Sequence, residues 1–147
     1  MLLAKRKIHL TEDDNYRHIP VKISVPSGVK KLVFAIRYSP KYEENPSRCL
    51  RIIKQCICAQ TGSEPSDDEA MSYIPLANHL SFSLDSPRGW LGTSHRHDYR
   101  QEIEIGESSS AGFIDFIPCR GSYVLTVSVN AIVTPSLDVD ITAEAIQ

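Results

Sequence analysis

Apolar and polar residues alternate along much of this chain. Residues 21–25 and 32–38 each place apolar side chains at every second position. A period of two sends successive side chains to opposite faces of a strand, so each segment predicts a half-buried β-strand. The turn Pro26-Ser27-Gly28 between them predicts a tight antiparallel connection.

The same alternation recurs around residues 80–84, 103–105, 123–129 and 139–141. The last two segments flank the turn Thr134-Pro135-Ser136, so they predict a closing hairpin. About seven or eight short strands with turns between them are typical of an antiparallel β-sandwich of Greek-key or jelly-roll type. We therefore predict a mainly β protein with a single domain spanning residues 1–147.

One segment departs from this pattern. Asn45 is a candidate N-cap, Pro46 suits the first helical position, and apolar residues at three- and four-residue spacing follow. These signals predict one inserted helix near residues 46–60 that ends before Gly62 and packs its apolar stripe on the sandwich. The polar, acidic run at 61–69 predicts an exposed loop.

Composition narrows the function classes. The chain has 16 Lys and Arg against 18 Asp and Glu, a net charge of -2. This balance argues against a nucleic-acid partner, which calls for a clustered basic excess. The basic N-terminus lacks the apolar run of a secretory signal or a membrane anchor, so we expect a cytoplasmic protein with no membrane partner.

Cysteine usage fits the same location. Without an export signal, Cys49, Cys56, Cys58 and Cys119 are expected to be free thiols, mostly buried. Cys56-Ile57-Cys58 has one residue too few between its cysteines for the usual zinc pattern and lacks a second pair. No cofactor is expected.

The order of turn glycines and aromatic residues resembles a known accessory domain. It is similar to the β-sandwich that precedes the catalytic domain in some bacterial PHP-family (polymerase and histidinol phosphatase) metal-dependent hydrolases. The residues that carry the resemblance are Tyr16, Ile19-Pro20, Val25-Pro26-Ser27-Gly28-Val29, Leu32, Arg88-Gly89-Trp90, Gly92, Gly112-Phe113 and Gly121-Ser122-Tyr123. The resemblance implies a free-standing accessory domain, since no catalytic barrel follows before Gln147.

Two clusters are candidates for chemistry. In His95-Arg96-His97-Asp98 an extended backbone places both imidazoles on one face, where they could share a metal with the carboxylate. An exposed polar loop is the competing and favoured interpretation. Trp90, flanked by Arg88, could form an aromatic platform for a sugar or another small planar ligand. A core or corner position between two glycines is the expected alternative.

These observations favour a non-catalytic binding or assembly module, accessory to a separately encoded hydrolase, over an enzyme. A protein partner or self-association is expected, through strand addition or the apolar faces of residues 32–38 and 123–129. Two alternatives stay open. One is a small metal-dependent hydrolase using His95, His97 and Asp98, and the other is a carbohydrate-binding module centred on Trp90.

Overall fold

The computed structural model describes residues 1–147 and contains ten β-strands and two α-helices. In chain order the strands are β1 (Leu2–Leu10), β2 (His18–Val25), β3 (Lys31–Ser39), β4 (Tyr42–Glu43), β5 (Leu76–Ala77), β6 (His79–Ser86), β7 (Gly89–Ser94), β8 (Arg100–Ile105), β9 (Gly121–Ala131) and β10 (Leu137–Ile146). The helices α1 (Pro46–Thr61) and α2 (Asp67–Met71) lie between β4 and β5, and a 3-10 turn (Glu12–Asp14) precedes β2.

Eight long strands form two antiparallel four-stranded sheets. The first sheet has the order β1-β10-β3-β8 and the second the order β2-β9-β6-β7, while β4 and β5 pair separately. The chain changes sheet repeatedly so that its last strands lie beside its first, which is the strand order of a jelly roll. The predicted antiparallel β-sandwich with an inserted helix is confirmed.

Both predicted hairpins are wrong. The turn at 26–28 leads from β2 in the second sheet to β3 in the first, and the turn at 134–136 leads from β9 in the second sheet to β10 in the first. Turn composition specifies that the chain reverses, but it does not specify which sheet receives the next strand. The crossing lets the two apolar faces meet each other in the core instead of lying side by side.

The space between the sheets is filled by one cluster of 27 buried residues. The side chains predicted to face inward are buried, among them Phe34, Tyr38, Phe82, Tyr123 and Leu125, each with no exposed surface. The half-buried strands are therefore confirmed. The apolar faces of residues 32–38 and 123–129, which the sequence suggested as surfaces for assembly, are covered by the opposite sheet.

A buried tyrosine fixes the start of β9. The Tyr123 hydroxyl accepts from the backbone N–H of Cys119 at 3.0 Å and lies 3.1 Å from the Cys119 carbonyl oxygen, to which it donates. This is the tyrosine corner of Greek-key sandwiches, in which a side chain at the start of a strand ties down the preceding turn. Burial raises the pKa of Tyr123 to about 12, so the hydroxyl keeps its proton and its role as donor.

The predicted helix is confirmed, but its packing partner is different. Asn45 caps α1 by accepting from the Arg48 N–H at 2.9 Å, and Gly62 ends it with φ 77°. The buried side of α1 packs against α2 in a separate small cluster of Cys49, Ile53 and Ala70, and not on the main core. An apolar stripe indicates that a helix needs a partner, and α2 supplies one locally.

Two related expectations also fail. Only Cys49 is buried, whereas Cys56 and Cys58 are exposed on α1 and Cys119 is half-buried. The run at 61–69 is not all loop, because α2 begins within it. Ser66 accepts from the Glu69 N–H at 3.2 Å and three acidic residues occupy the first turn, which is the usual signature of a helix N-terminus.

Asn78 joins the inserted segment to the sandwich. Its side chain has no exposed surface, and its Nδ2 donates to the Pro40 carbonyl at 2.9 Å and to Thr134 Oγ1 at 2.8 Å. Its Oδ1 accepts from the backbone N–H of Val133 at 2.7 Å. One amide thus satisfies buried groups on both sides of the junction.

No helix of the chain is both long enough and apolar enough to cross a membrane.

We expect Asn78→Ala to lower the free energy of unfolding by about 2–4 kcal/mol, because the Val133 N–H and the Pro40 carbonyl lose their buried partner. Asn45→Ala, which removes only an exposed helix cap, should cost about 1 kcal/mol. Urea unfolding followed by far-UV circular dichroism measures both. Equal losses in the two variants would argue against a connecting role for Asn78.

Gly92→Ala should destabilise the protein more than Gly28→Ala. Both glycines have a positive φ, 151° and 82°, but a Cβ on Gly92 would lie 2.2 Å from the Gly112 carbonyl oxygen, whereas space is open at Gly28. We expect a loss of about 1 kcal/mol at Gly28 from backbone strain alone. The additional clash should raise the loss at Gly92 to about 3 kcal/mol. Thermal and urea unfolding of both variants measure the two losses of stability. Equal losses would contradict the predicted clash at Gly92.

Candidate functional site

The outer face of the second sheet is largely polar, and several of its side chains are small. These residues alternate with the buried positions of β6, β7 and β9, and the strand register places them in neighbouring rows across the sheet. The hydroxyl-bearing residues that these three strands place on the face are Ser81, Ser83, Thr93, Ser122, Thr126 and Ser128. Away from Ser81, which other side chains cover, this surface offers hydrogen-bonding groups to a ligand.

Trp90 lies on this face beside the β6–β7 turn and is 60% exposed, so the expected core position is wrong. A bulge in the pairing of β6 with β7 aligns Asp85 with Trp90 and Leu84 with Gly92, so that Leu91 is the extra residue and is buried. A bulge changes the direction of the side chains next to it. Phe113 is the aromatic residue that is buried next to this strand, and its backbone forms an antiparallel β-bridge with Gly92.

The structure separates the predicted site residues into two groups. Arg88 and Trp90 lie at the start of β7, whereas His95, His97 and Asp98 follow its end. Four residues of largely extended chain lie between Trp90 and His95, which places their Cα atoms about 16 Å apart. The groups therefore cannot act on one small ligand together.

His95 is positioned by a buried hydroxyl. Ser81, only 3% exposed, accepts from Asn130 Nδ2 at 2.6 Å, and its Oγ lies 3.0 Å from His95 Nδ1. A buried hydroxyl needs an acceptor for its proton, and His95 Nδ1 is the one within reach, so Ser81 donates to the imidazole. The Ser81 hydroxyl is closed in by these partners and is not presented to a substrate.

His97 stacks on a histidine that the sequence did not single out. The rings of His79 and His97 lie 4.3 Å apart between centroids and 14° from parallel. His79 Nε2 donates to the His95 carbonyl at 3.2 Å, and its Nδ1 accepts from Asn130 Nδ2 at 3.3 Å. Burial lowers the pKa of His79, and the neighbouring charges of His97 and Lys41 lower it further, while the hydrogen bond to His95 opposes them.

A second residue missed from sequence, Gln101, holds the loop between β7 and β8. Its buried side chain accepts from Ser94 Oγ at 2.8 Å and donates to the carbonyl oxygens of Arg96 at 3.2 Å and Asp98 at 2.9 Å. His95 and His97 both contact β6, His95 through Ser81 and His97 through His79. No group of three or more His, Cys, Asp or Glu side chains is placed to hold a metal ion.

The alternation of apolar and polar residues in the sequence indicates only part of the arrangement around His79. His79 alternates with Leu80 and could have been assigned to an outer face, but its pairing with His97 depends on the β6–β7 contact. All five histidines of the chain lie at the same end of the sandwich, the end that also carries the β9–β10 turn. That grouping is a property of topology and has no counterpart in sequence spacing.

Comparison of the sequence with the profiles of known protein families gives no match. No curated protein matches it either.

Acidification through the titration of His79 should destabilise the fold. Because the pKa of His79 is lowered from 6.5 in the folded protein, the unfolded chain takes up a proton near that pH before the folded chain does. Stability should therefore fall as the pH drops below about 6.5, and the loss should stop once the folded pKa is passed. Urea unfolding across this range should show a shallower dependence in His79→Gln, and a ring-proton NMR titration should place the pKa of His79 below 6.5. A value at or above 6.5 contradicts a partly buried imidazole that stays neutral.

Proposed function

We propose that the protein is a non-catalytic binding module that holds a carbohydrate on the outer face of its second sheet. The observation that carries the proposal is the position of Trp90, which is 60% exposed on the outer face of that sheet. An exposed tryptophan beside small polar residues offers an apolar surface that contributes little to folding.

The surroundings of Trp90 suit a polyhydroxylated ring. The aliphatic face of a sugar can pack on the indole, while its hydroxyls bond to polar groups at the edge of the ring. Asp85 lies directly opposite Trp90 on β6, and Thr93 and Ser83 occupy the next row of the same face. Arg88, exposed in the turn between β6 and β7, extends the polar rim.

Self-assembly by strand addition is less well supported, because the sheet edges are obstructed. The segment 110–116 bonds to β7 through the Thr93 N–H and the Leu91 carbonyl, and to β8 through the Glu104 carbonyl. On the opposite side β1 carries Lys5-Arg6-Lys7 and β2 carries Pro20. Charged residues, proline and covering loops are the usual means of blocking strand addition.

The metal-dependent hydrolase alternative has weaker support than the binding module. The rings of His95 and His97 contact Ser81 and His79, and the Asp98 carboxylate completes no metal-binding group with them. A role beside a separately encoded bacterial hydrolase rests on the resemblance to PHP-associated sandwiches. A cytoplasmic location is supported by four free thiols, two of them exposed.

The single tryptophan makes the proposal easy to test. A bound sugar should change the emission of Trp90, and calorimetric titration of a broad glycan panel should identify the ligand. Trp90→Ala should weaken binding of that ligand about tenfold or more, because the stacking surface is lost. Its free energy of unfolding should stay within about 0.5 kcal/mol of the parent.

Tyr73→Ala is the matched control, since Tyr73 is 55% exposed but belongs to the inserted segment. It should leave binding unchanged. A flat titration across the whole panel, or equal binding by Trp90→Ala, removes the carbohydrate proposal. Native mass spectrometry with elemental analysis tests the alternatives, because stoichiometric zinc or manganese favours a hydrolase and a stable dimer favours assembly.

A further inference from the structure

A groove lies on the first sheet, at the end of the sandwich that carries the five histidines. It has a volume of about 380 Å³ and is formed where β3 ends, β4 begins and the β7–β8 loop joins β8. The side chains that characterise it are Arg37, Lys41, Tyr42 and Tyr99. The buried Tyr38 and the carboxylate of Glu44 also line it, and none of these residues belongs to the Trp90 surface.

The cations at this end of the first sheet lack carboxylate partners. Arg37 and Arg100 face each other across β3 and β8, a like-charge pair that disfavours the strand pairing. Asp140 faces Arg37 from β10, yet Arg37, Lys41 and Arg100 take part in none of the ion pairs of the structure. None of the three is held in a close ion pair, so Arg37 and Lys41 can attract an external anion in competition with Asp140 and Glu44.

Lys41 is held in place by neutral acceptors. Its Nζ donates to Tyr38 Oη at 3.1 Å and to the Asn78 carbonyl oxygen at 2.9 Å. An ammonium has three N–H groups, so one donor remains for a ligand. Burial lowers the pKa of Lys41, with Asp98 opposing that shift from a distance. An anion beside it would favour the charged form.

The two tyrosines are about half exposed, Tyr42 at 50% and Tyr99 at 48%. The backbone of each is paired with a neighbouring strand. The Tyr99 carbonyl accepts from the Tyr38 N–H at 2.9 Å and continues the β3–β8 pairing, while Tyr42 pairs with Ala77. Their rings line the groove beside the cations, where a ligand ring can pack on them.

We propose that this groove binds a small ring-bearing oxyanion, an acidic sugar or a sugar phosphate. Arg37 and Lys41 bind the carboxylate or phosphate, and Tyr42 and Tyr99 contact the ring. Glu44, which also lines the groove, accepts from ring hydroxyls and disfavours a ligand with a second anionic group. The inference is independent of the carbohydrate proposal for Trp90, because the two surfaces lie on different sheets.

Titration of the ¹⁵N-labelled protein with glucuronate, glucose 6-phosphate, inorganic phosphate and glucose tests the site by NMR. We expect chemical-shift changes centred on Arg37, Tyr42 and Tyr99 with at least one of the two anionic sugars, and weaker binding of phosphate or glucose alone. A response to glucuronate identifies a carboxylate ligand, and a response to glucose 6-phosphate identifies a phosphate ligand. No saturable change with either, or changes centred elsewhere, overturns the proposal.

Arg37→Ala should weaken binding of the responding sugar about tenfold or more, through loss of a charge-assisted contact. Arg37→Lys should recover only part of the affinity, because an ammonium cannot form the paired contacts of a guanidinium. Arg51→Ala, which removes an exposed arginine from α1, should bind as the parent does. Equal affinity in Arg37→Ala, or an equal loss in Arg51→Ala, counts against a specific site.

Trp90→Ala separates the two proposals. It should retain the affinity for the anionic sugar that Arg37→Ala loses, whether or not the parent binds a neutral glycan. If Trp90→Ala also loses the anionic sugar while Arg37→Ala retains it, the ligand belongs to the Trp90 surface and the groove is not a binding site.

Discussion

The mutual burial of two alternating apolar faces is the constraint on which the rest of this structure depends. Each long strand presents every second side chain to one shared space, and rings such as Phe34, Phe82 and Tyr123 occupy it without exposed surface. Because the interior is filled by the protein's own side chains, a ligand has to bind at an outer face or at an end of the sandwich. Both surfaces proposed for binding satisfy that requirement.

Features that depend on neighbouring residues could be predicted from the sequence. The period of two in residues 32–38 and the cap formed by Asn45 and Pro46 each specify a local conformation, and the structure confirms both. The partner of each element depends on distant residues instead. Residues 26–28 indicate a reversal, but the choice between a hairpin and a crossing to the other sheet depends on β9 and β10, about a hundred residues later in the chain.

The position of Trp90 shows how competition for core space decides a candidate site. Two glycines beside a tryptophan favoured a buried ring, yet Gly92 serves the close approach of Gly112 and Phe113. Phe113 then fills the core, Leu91 is buried at the bulge, and the indole is left on the outer face. The His79–His97 stack escaped prediction for a related reason, since it forms only when β6 pairs with β7 and brings the loop after β7 next to the start of β6.

The outer faces of the two sheets differ in chemistry, although the same alternation produces both. The second sheet presents hydroxyls across its middle rows, whereas one row of the first sheet runs Lys7, Asp140, Arg37 and Arg100. In water a single unfavourable pair such as Arg37 and Arg100 costs about 1 kcal/mol or less, which a core of this size easily offsets. The fold therefore tolerates cations without close ion pairs on this face. These cations and the tyrosines beside them favour an anionic ligand at the groove. The hydroxyls beside Trp90 favour a neutral one.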